Sequence, residues 1–245
     1  MIQMTLGGAV FIAAAASAAL AMQSPVAVDT TDKAAIEKVV HDYILEHPEI
    51  ISQAIEKLQQ KRTGNTIGEH RSAIETPYAG AWEGNEHGDV VLVEFFDYAC
   101  GYCRASLPDL AKVVAADKGV KIVYRELPIL SEESSDAAKV SLLAAEKGQY
   151  MPYHKALYAA GKVTRDTIFA AAASVGIDRK AAEAAMTSPK YAKEIEANIE
   201  LAQTLRASGT PTFVVGDQVL NGAVGYDALK EAVDKARAAK SAATL

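Results

Sequence analysis

Cys100 and Cys103 are the two cysteines of the chain, and Gly101 and Tyr102 separate them. A thiolate attacks a disulfide sulfur, and a second thiol three residues on can attack the resulting mixed disulfide, so this pair can carry both halves of thiol exchange. The run before the pair, Val90 to Tyr98 (VVLVEFFDY), is almost continuously apolar, the pattern of a strand buried on both faces. Arg104 to Ala116 then places Leu107, Leu110, Val113 and Val114 at helical spacing. The cysteines therefore fall on a strand-to-helix turn. With Cys100 capping that helix, its sulfur faces unpaired backbone N–H groups and the positive end of the helix dipole, which favours the thiolate. Cys100 is the expected nucleophile and Cys103 the buried resolving thiol.

Three other uses of the pair are weaker. A structural zinc site needs four ligands, and His41, His47, His70, His87 and His154 are scattered without a matching pair spacing. Two soft thiolates can bind Cu(I), but with no Met or His nearby they describe an opportunistic or shared site. Two inert buried thiols would not require a strand-turn-helix setting. No metal or cofactor is expected to be essential.

Glu94 interrupts the most apolar run of the mature chain, where burying a carboxylate is costly without purpose. It lies six residues before Cys100, so burial would raise its pKa and let it relay the proton of Cys103. A Glu on an exposed strand face, or one paired with Lys or Arg, is the alternative. Asp97 reads as a turn residue. Farther on, Pro211 in Gly209-Thr210-Pro211-Thr212-Phe213 directly precedes a strand, where it cannot donate the first ladder bond. A cis Thr210–Pro211 bond fits this position, as does an ordinary trans proline at a strand start.

The elements that must position these residues follow from the rest of the chain. Residues 1–21 read as a signal peptide, with an uncharged small-residue core closing on Ala19-Leu20-Ala21, although MIQMT lacks a basic side chain and a retained anchor is the alternative. Export would place the protein in an oxidising space, most simply a bacterial periplasm. Residues 22–62 form an arm, with apolar positions from Ile36 to Leu58 at helical spacing and Pro48 dividing it in two. Residues 63–75, with Gly64 and Gly68, read as a linker. Residues 76–245 form the catalytic domain: a βαβ unit from Val90 to Glu126, a helical insertion over 134–207, and two short strands, Thr212–Gly216 and Gln218–Gly222. A closing helix runs from Tyr226 to Ala239, its Ala-rich end expected to fray from Ala236. The chain has 245 residues, half of them hydrophobic, and a net charge of -6, which gives no basic patch for nucleic acid. A chain this long needs no cross-link to fold.

VLVEFFDYxCGYC, a long helical insertion and GTPTF together resemble the DsbA-like branch of the thioredoxin superfamily, from about Val90 to the C-terminus. The resemblance implies an α/β thioredoxin fold with a helical domain inserted between strands. It also implies a cis proline at Pro211 packed on the active-site turn, and a backbone edge at Thr210 that pairs with substrate. DsbA-type oxidases carry Pro-His between the cysteines, so Gly101-Tyr102 implies a less oxidising pair. Gly-Tyr together with Thr210 before the proline looks like the disulfide isomerases and the suppressor-of-copper-sensitivity C (ScsC) proteins. The arm is similar to theirs as well, through Tyr43, Leu45, Pro48, Glu49 and Ile50, and in that family the arm can oligomerise the protein.

The expected function is thus a periplasmic thiol:disulfide isomerase or reductase. Its implied partners are exported proteins with cysteines, a membrane redox protein and further copies of itself. A DsbA-type dithiol oxidase is the alternative within the class. A copper-binding or copper-tolerance protein is the alternative outside it, and the scarcity of Met and His disfavours it.

Overall fold

The computed structural model describes residues 32–242; the expected signal segment at 1–21 lies outside them. The chain divides into two compact units, residues 1–52 and 53–245. In the first, α1 (Lys33–Glu46) starts where the Asp32 carboxylate accepts the N–H groups of Ala34 and Ala35. It stops at His47, because Pro48 cannot continue it, and α2 (Glu49–Glu75) begins directly after the proline. Among the described residues, no helix is long and apolar enough to cross a membrane.

Residues 63–75 are not a linker but the second half of α2. Ile67 and Ile74 are fully buried there, and Arg71 pairs with Glu75 and with Asp217. A Cβ on Gly64 would come within 3.2 Å of the Asp217 Cβ, so the glycine that suggested a linker instead permits a close approach. Burial of the two isoleucines outweighs the glycine's helix penalty of about 1 kcal/mol.

The second unit is built on a five-stranded sheet of order β1-β3-β2-β4-β5. Its strands are β1 (Trp82–Gly84), β2 (Val90–Phe96), β3 (Val120–Glu126), β4 (Thr212–Val215) and β5 (Gln218–Asn221). β2 runs parallel to β3, joined to it by α3 (Gly101–Ala116), and antiparallel to β4. Sequence pattern misses β1, because three residues are too few to establish a period of two; pairing with β3 makes it a strand.

Along β2, Leu92 and Phe96 pack into one apolar cluster while Val93 and Phe95 pack into another. The first cluster takes in α3, α9 (Tyr226–Ala242) and the helical insertion, α4 (Glu132–Glu146), α5 (Tyr150–Ala159), α6 (Arg165–Ser174), α7 (Arg179–Met186) and α8 (Pro189–Thr204). The second takes in α2 and the end of α8. Both faces of the strand are covered, which is why β2 is apolar at nearly every position.

Helix α9 extends to Ala242 instead of fraying from Ala236. Arg237 holds it by pairing with Asp89 before β2 and Asp117 after α3.

The C-terminus of α2 is anchored from β3. The buried guanidinium of Arg125 donates to the carbonyls of Ala73, Ile74 and Thr76, and on its other side to Glu194 and Asn198 of α8. Helix ends leave their last carbonyls without intrahelical partners, and here one side chain serves three of them. Arg125→Met is expected to cost about 3 kcal/mol, since it strands these acceptors and removes the partner of Glu194. Urea unfolding measures it, and a loss below about 1 kcal/mol would mean the carbonyls find other donors.

Candidate active site

The C-terminal end of β2 leads directly into α3, and Cys100 is the N-cap residue between them, with φ -77° and ψ 116°. Its Sγ accepts the Cys103 N–H at 3.3 Å and donates to the Thr210 carbonyl at 3.2 Å. Cys103, one turn into α3, is fully buried, whereas Cys100 retains 5% exposure; both are free thiols. Gly101 opens the helix with free space where a Cβ would stand, and Tyr102 is 71% exposed.

The Thr210–Pro211 peptide bond is cis. Since β4 runs antiparallel to β2, its first residues meet the end of β2, which is how residues 110 apart in sequence touch. The loop is fixed from β5. Asn221 accepts the Ser208 N–H and the Thr212 hydroxyl, while the Pro211 carbonyl accepts the Gly222 N–H at 2.8 Å.

Glu94 sits between Tyr124 of β3 and Phe213 of β4 in the sheet register. It is buried, and neither carboxyl oxygen has a hydrogen-bond partner in the protein. Burial, followed by the influence of Cys100, Glu83 and Glu126, pushes its pKa well above the usual carboxylate range. Burial, followed by Glu94, likewise pushes the Cys103 thiol far up. Two acids that each resist ionisation therefore influence one another, and Cys100 acts on Glu94 in turn.

Asp97 does more than form a turn. It is buried, and its Oδ1 accepts the Ala99 N–H while its Oδ2 accepts the N–H groups of Ile129 and Leu130. Its backbone carbonyl accepts from Cys100 and from the Tyr158 hydroxyl of α5.

Sequence reasoning also missed a polar cluster on this face of the sheet. Glu126 is buried and accepts from Ser141 and, at 3.0 Å, from Tyr150; burial still pushes its pKa well up, against the pull of those two bonds. His154 is enclosed by Phe96, Tyr98, Tyr124, Tyr150 and Tyr158, and burial lowers its pKa to about 3, so it is neutral at ordinary pH. Tyr150, His154 and Tyr158, spaced four apart on α5, were the available signal, but their partners come from β2 and β3. Among the described residues, no three His, Cys, Asp or Glu side chains converge as metal ligands.

Unfolded, Glu94 ionises near pH 4.5, whereas in the fold it keeps its proton to higher pH. The native state then binds more protons than the unfolded chain, so this group's effect on stability becomes increasingly unfavourable as pH rises above about 5. Glu94→Gln is expected to be more stable than wild type at pH 8 and nearly equal at pH 4. Urea unfolding at the two pH values tests this, and a difference independent of pH would show that Glu94 titrates normally.

Comparison with known proteins agrees with this geometry. Residues 91–234 match the DSBA-like thioredoxin domain, and residues 32–63 match the copper resistance protein ScsC N-terminal domain. A thioredoxin-like oxidoreductase from Silicibacter pomeroyi DSS-3 is 40% identical, covering 68% of this chain and 97% of its own, with a TM-score of 0.65. A linker-deletion variant of ScsC from Proteus mirabilis is 26% identical, covering 89% of this chain and 100% of its own, with a TM-score of 0.67. The thiol:disulfide interchange protein DsbA of Bordetella parapertussis is 25% identical over 56% of this chain and 68% of its own. The chain spans only 24% to 29% of the length of the Na(+)/H(+) antiporters NhaA among its curated relatives.

Proposed function

Because this chain belongs to the DSBA-like thioredoxin family, we propose that it is an exported thiol:disulfide oxidoreductase that reduces or reshuffles disulfides in other exported proteins. The observation that carries this reading is the placement of Cys100 Sγ between the helix N-terminus and the Thr210 carbonyl, with Cys103 and Glu94 buried behind it.

In the proposed cycle the Cys100 thiolate attacks one sulfur of a substrate disulfide, forming the mixed disulfide and expelling the other substrate sulfur as a thiolate. Cys103 then attacks Cys100 Sγ and releases the second substrate thiolate. The proton that Cys103 must lose passes to Glu94 in its carboxylate form, once that buried carboxyl has given up its own proton to solvent. The net reaction converts the protein dithiol to a disulfide and the substrate disulfide to two thiols; a membrane redox partner returns the two electrons. In reshuffling, a substrate thiolate resolves the mixed disulfide instead, and the dithiol is regenerated without net electron transfer. The two sulfurs carry the chemistry with no added cofactor.

Cys100→Ser is expected to abolish reduction of insulin, and Cys103→Ser to accumulate mixed disulfides visible by non-reducing mass spectrometry. A Cys100→Ser protein that reduces insulin at the wild-type rate would sink the proposal.

The expected leader supports a periplasmic location, and the arm supports self-association. Val39, Val40, Tyr43 and Leu45 of α1 are all exposed, and the arm matches the ScsC N-terminal domain. Copies that bury these side chains together would place several redox pairs in one assembly. Light scattering of the mature protein is expected to give a mass of more than one chain, reduced to one by Val40→Asp with Tyr43→Asp. A monomeric mature protein would remove this part of the reading.

A further inference from the structure

The turn that carries Cys100 is tied to the helical insertion at two points. The Tyr158 hydroxyl, near the end of α5, donates to the Asp97 carbonyl at 3.0 Å, and the same carbonyl accepts the Cys100 N–H. In the loop between α5 and α6, the Gly161 carbonyl accepts from Nη2 of Arg104. Arg104 directly follows Cys103 in α3, and its backbone N–H bonds the Cys100 carbonyl at 3.2 Å. A helical side chain leans toward the start of its helix, so this guanidinium points back along α3 toward the turn at which Cys100 stands.

Its charge meets no carboxylate. Arg71, Arg104, Arg125 and Arg237 are the buried or half-buried arginines among the described residues, and all but Arg104 form ion pairs with acids. The Arg104 Nε is buried without a hydrogen-bond partner. Lys162, next to Gly161 in the same loop, is exposed and forms no ion pair among the described residues. Asp136 is taken by Arg165, and Asp166 on the first turn of α6 pairs with neither cation. In a chain of net charge -6, two unneutralised cations thus border the redox turn. Taking a guanidinium partly out of water without an anion costs free energy, which an incoming carboxylate would offset.

We infer that Arg104 and Lys162 form a binding site for an acidic side chain, Asp or Glu, beside the cysteine of the substrate protein. This inference rests on the thiol-exchange reading. A carboxylate on the side of the substrate cysteine that faces the insertion meets a planar guanidinium already fixed at one end on the Gly161 carbonyl, so little side-chain freedom is lost on binding. Lys162 adds a second charge of the same sign on a flexible stem. The net negative charge of the whole chain disfavours anionic partners at a distance, which makes the preference local to this rim.

The test uses two peptides identical except for Asp or Asn beside a single cysteine, each held as a mixed disulfide with uncharged 2-mercaptoethanol. Reduced protein converts either one to the peptide thiol and 2-mercaptoethanol while its own dithiol becomes the Cys100–Cys103 disulfide. Wild type is expected to consume the Asp peptide about fivefold faster at low salt, an advantage that shrinks in about 0.5 M sodium chloride. The Arg104→Gln, Lys162→Gln double variant is expected to show no preference for the Asp peptide. Lys162→Gln alone, which leaves the Gly161 tie in place, is expected to lose part of it, and a single variant that keeps all of it overturns the site. A wild type without the preference overturns the site while leaving thiol exchange intact. So does a double variant slowed by the same factor on both peptides, because Arg104 would then act on the Cys100 turn and not on substrate. A wild type that consumes neither peptide overturns thiol exchange and this inference together.

Discussion

The structure depends on β2 being covered on both faces. A strand in that position loses water along its whole length, so any polar group on it must find a protein partner or stay neutral. Glu94 illustrates the second outcome: with no hydrogen-bond partner, desolvation prevails and the carboxyl holds its proton. The same burial makes Cys103 a reluctant acid. The chemistry proposed for the pair is therefore a consequence of how the core is layered.

Three buried carboxyls near the end of β2 and β3 meet the same constraint differently. Asp97 accepts three backbone N–H groups and connects the turn to a neighbouring loop. Glu126 accepts two hydroxyls from the helical insertion, so it joins the insertion to the sheet. Glu94 accepts none. Carboxyl groups that accept hydrogen bonds fix geometry, whereas one that accepts none is left free to exchange a proton. On the opposite face, Arg125 satisfies the last carbonyls of α2 and reaches α8, so a buried cation organises that layer as Asp97 organises the turn.

Much of this was legible in the sequence. The nearly continuous apolar run of β2, the helix after it and the Cys-Gly-Tyr-Cys spacing place both thiols at a strand-to-helix turn, and the structure has that turn. Pro48 separates the two arm helices as its missing N–H requires. Reading failed where long-range contacts override local pattern. Gly64 and Gly68 suggest a linker until Ile67, Ile74 and Arg71 are docked on the sheet. The Ala-rich C-terminus suggests fraying until Arg237 finds Asp89 and Asp117.

The sequence alone determined the spacing of the two cysteines, their position at a helix start and the strand-helix-strand order around them, because these follow from spacing and periodicity along one stretch of chain. Tertiary structure alone decided that the Thr210 carbonyl touches Cys100, that Pro211 is cis, that Glu94 lacks a partner and that Asp97 pins Ile129 and Leu130. Each of these relations depends on which strands lie side by side. Strand order brings residues dozens of positions apart into contact, and no local pattern in the chain encodes it.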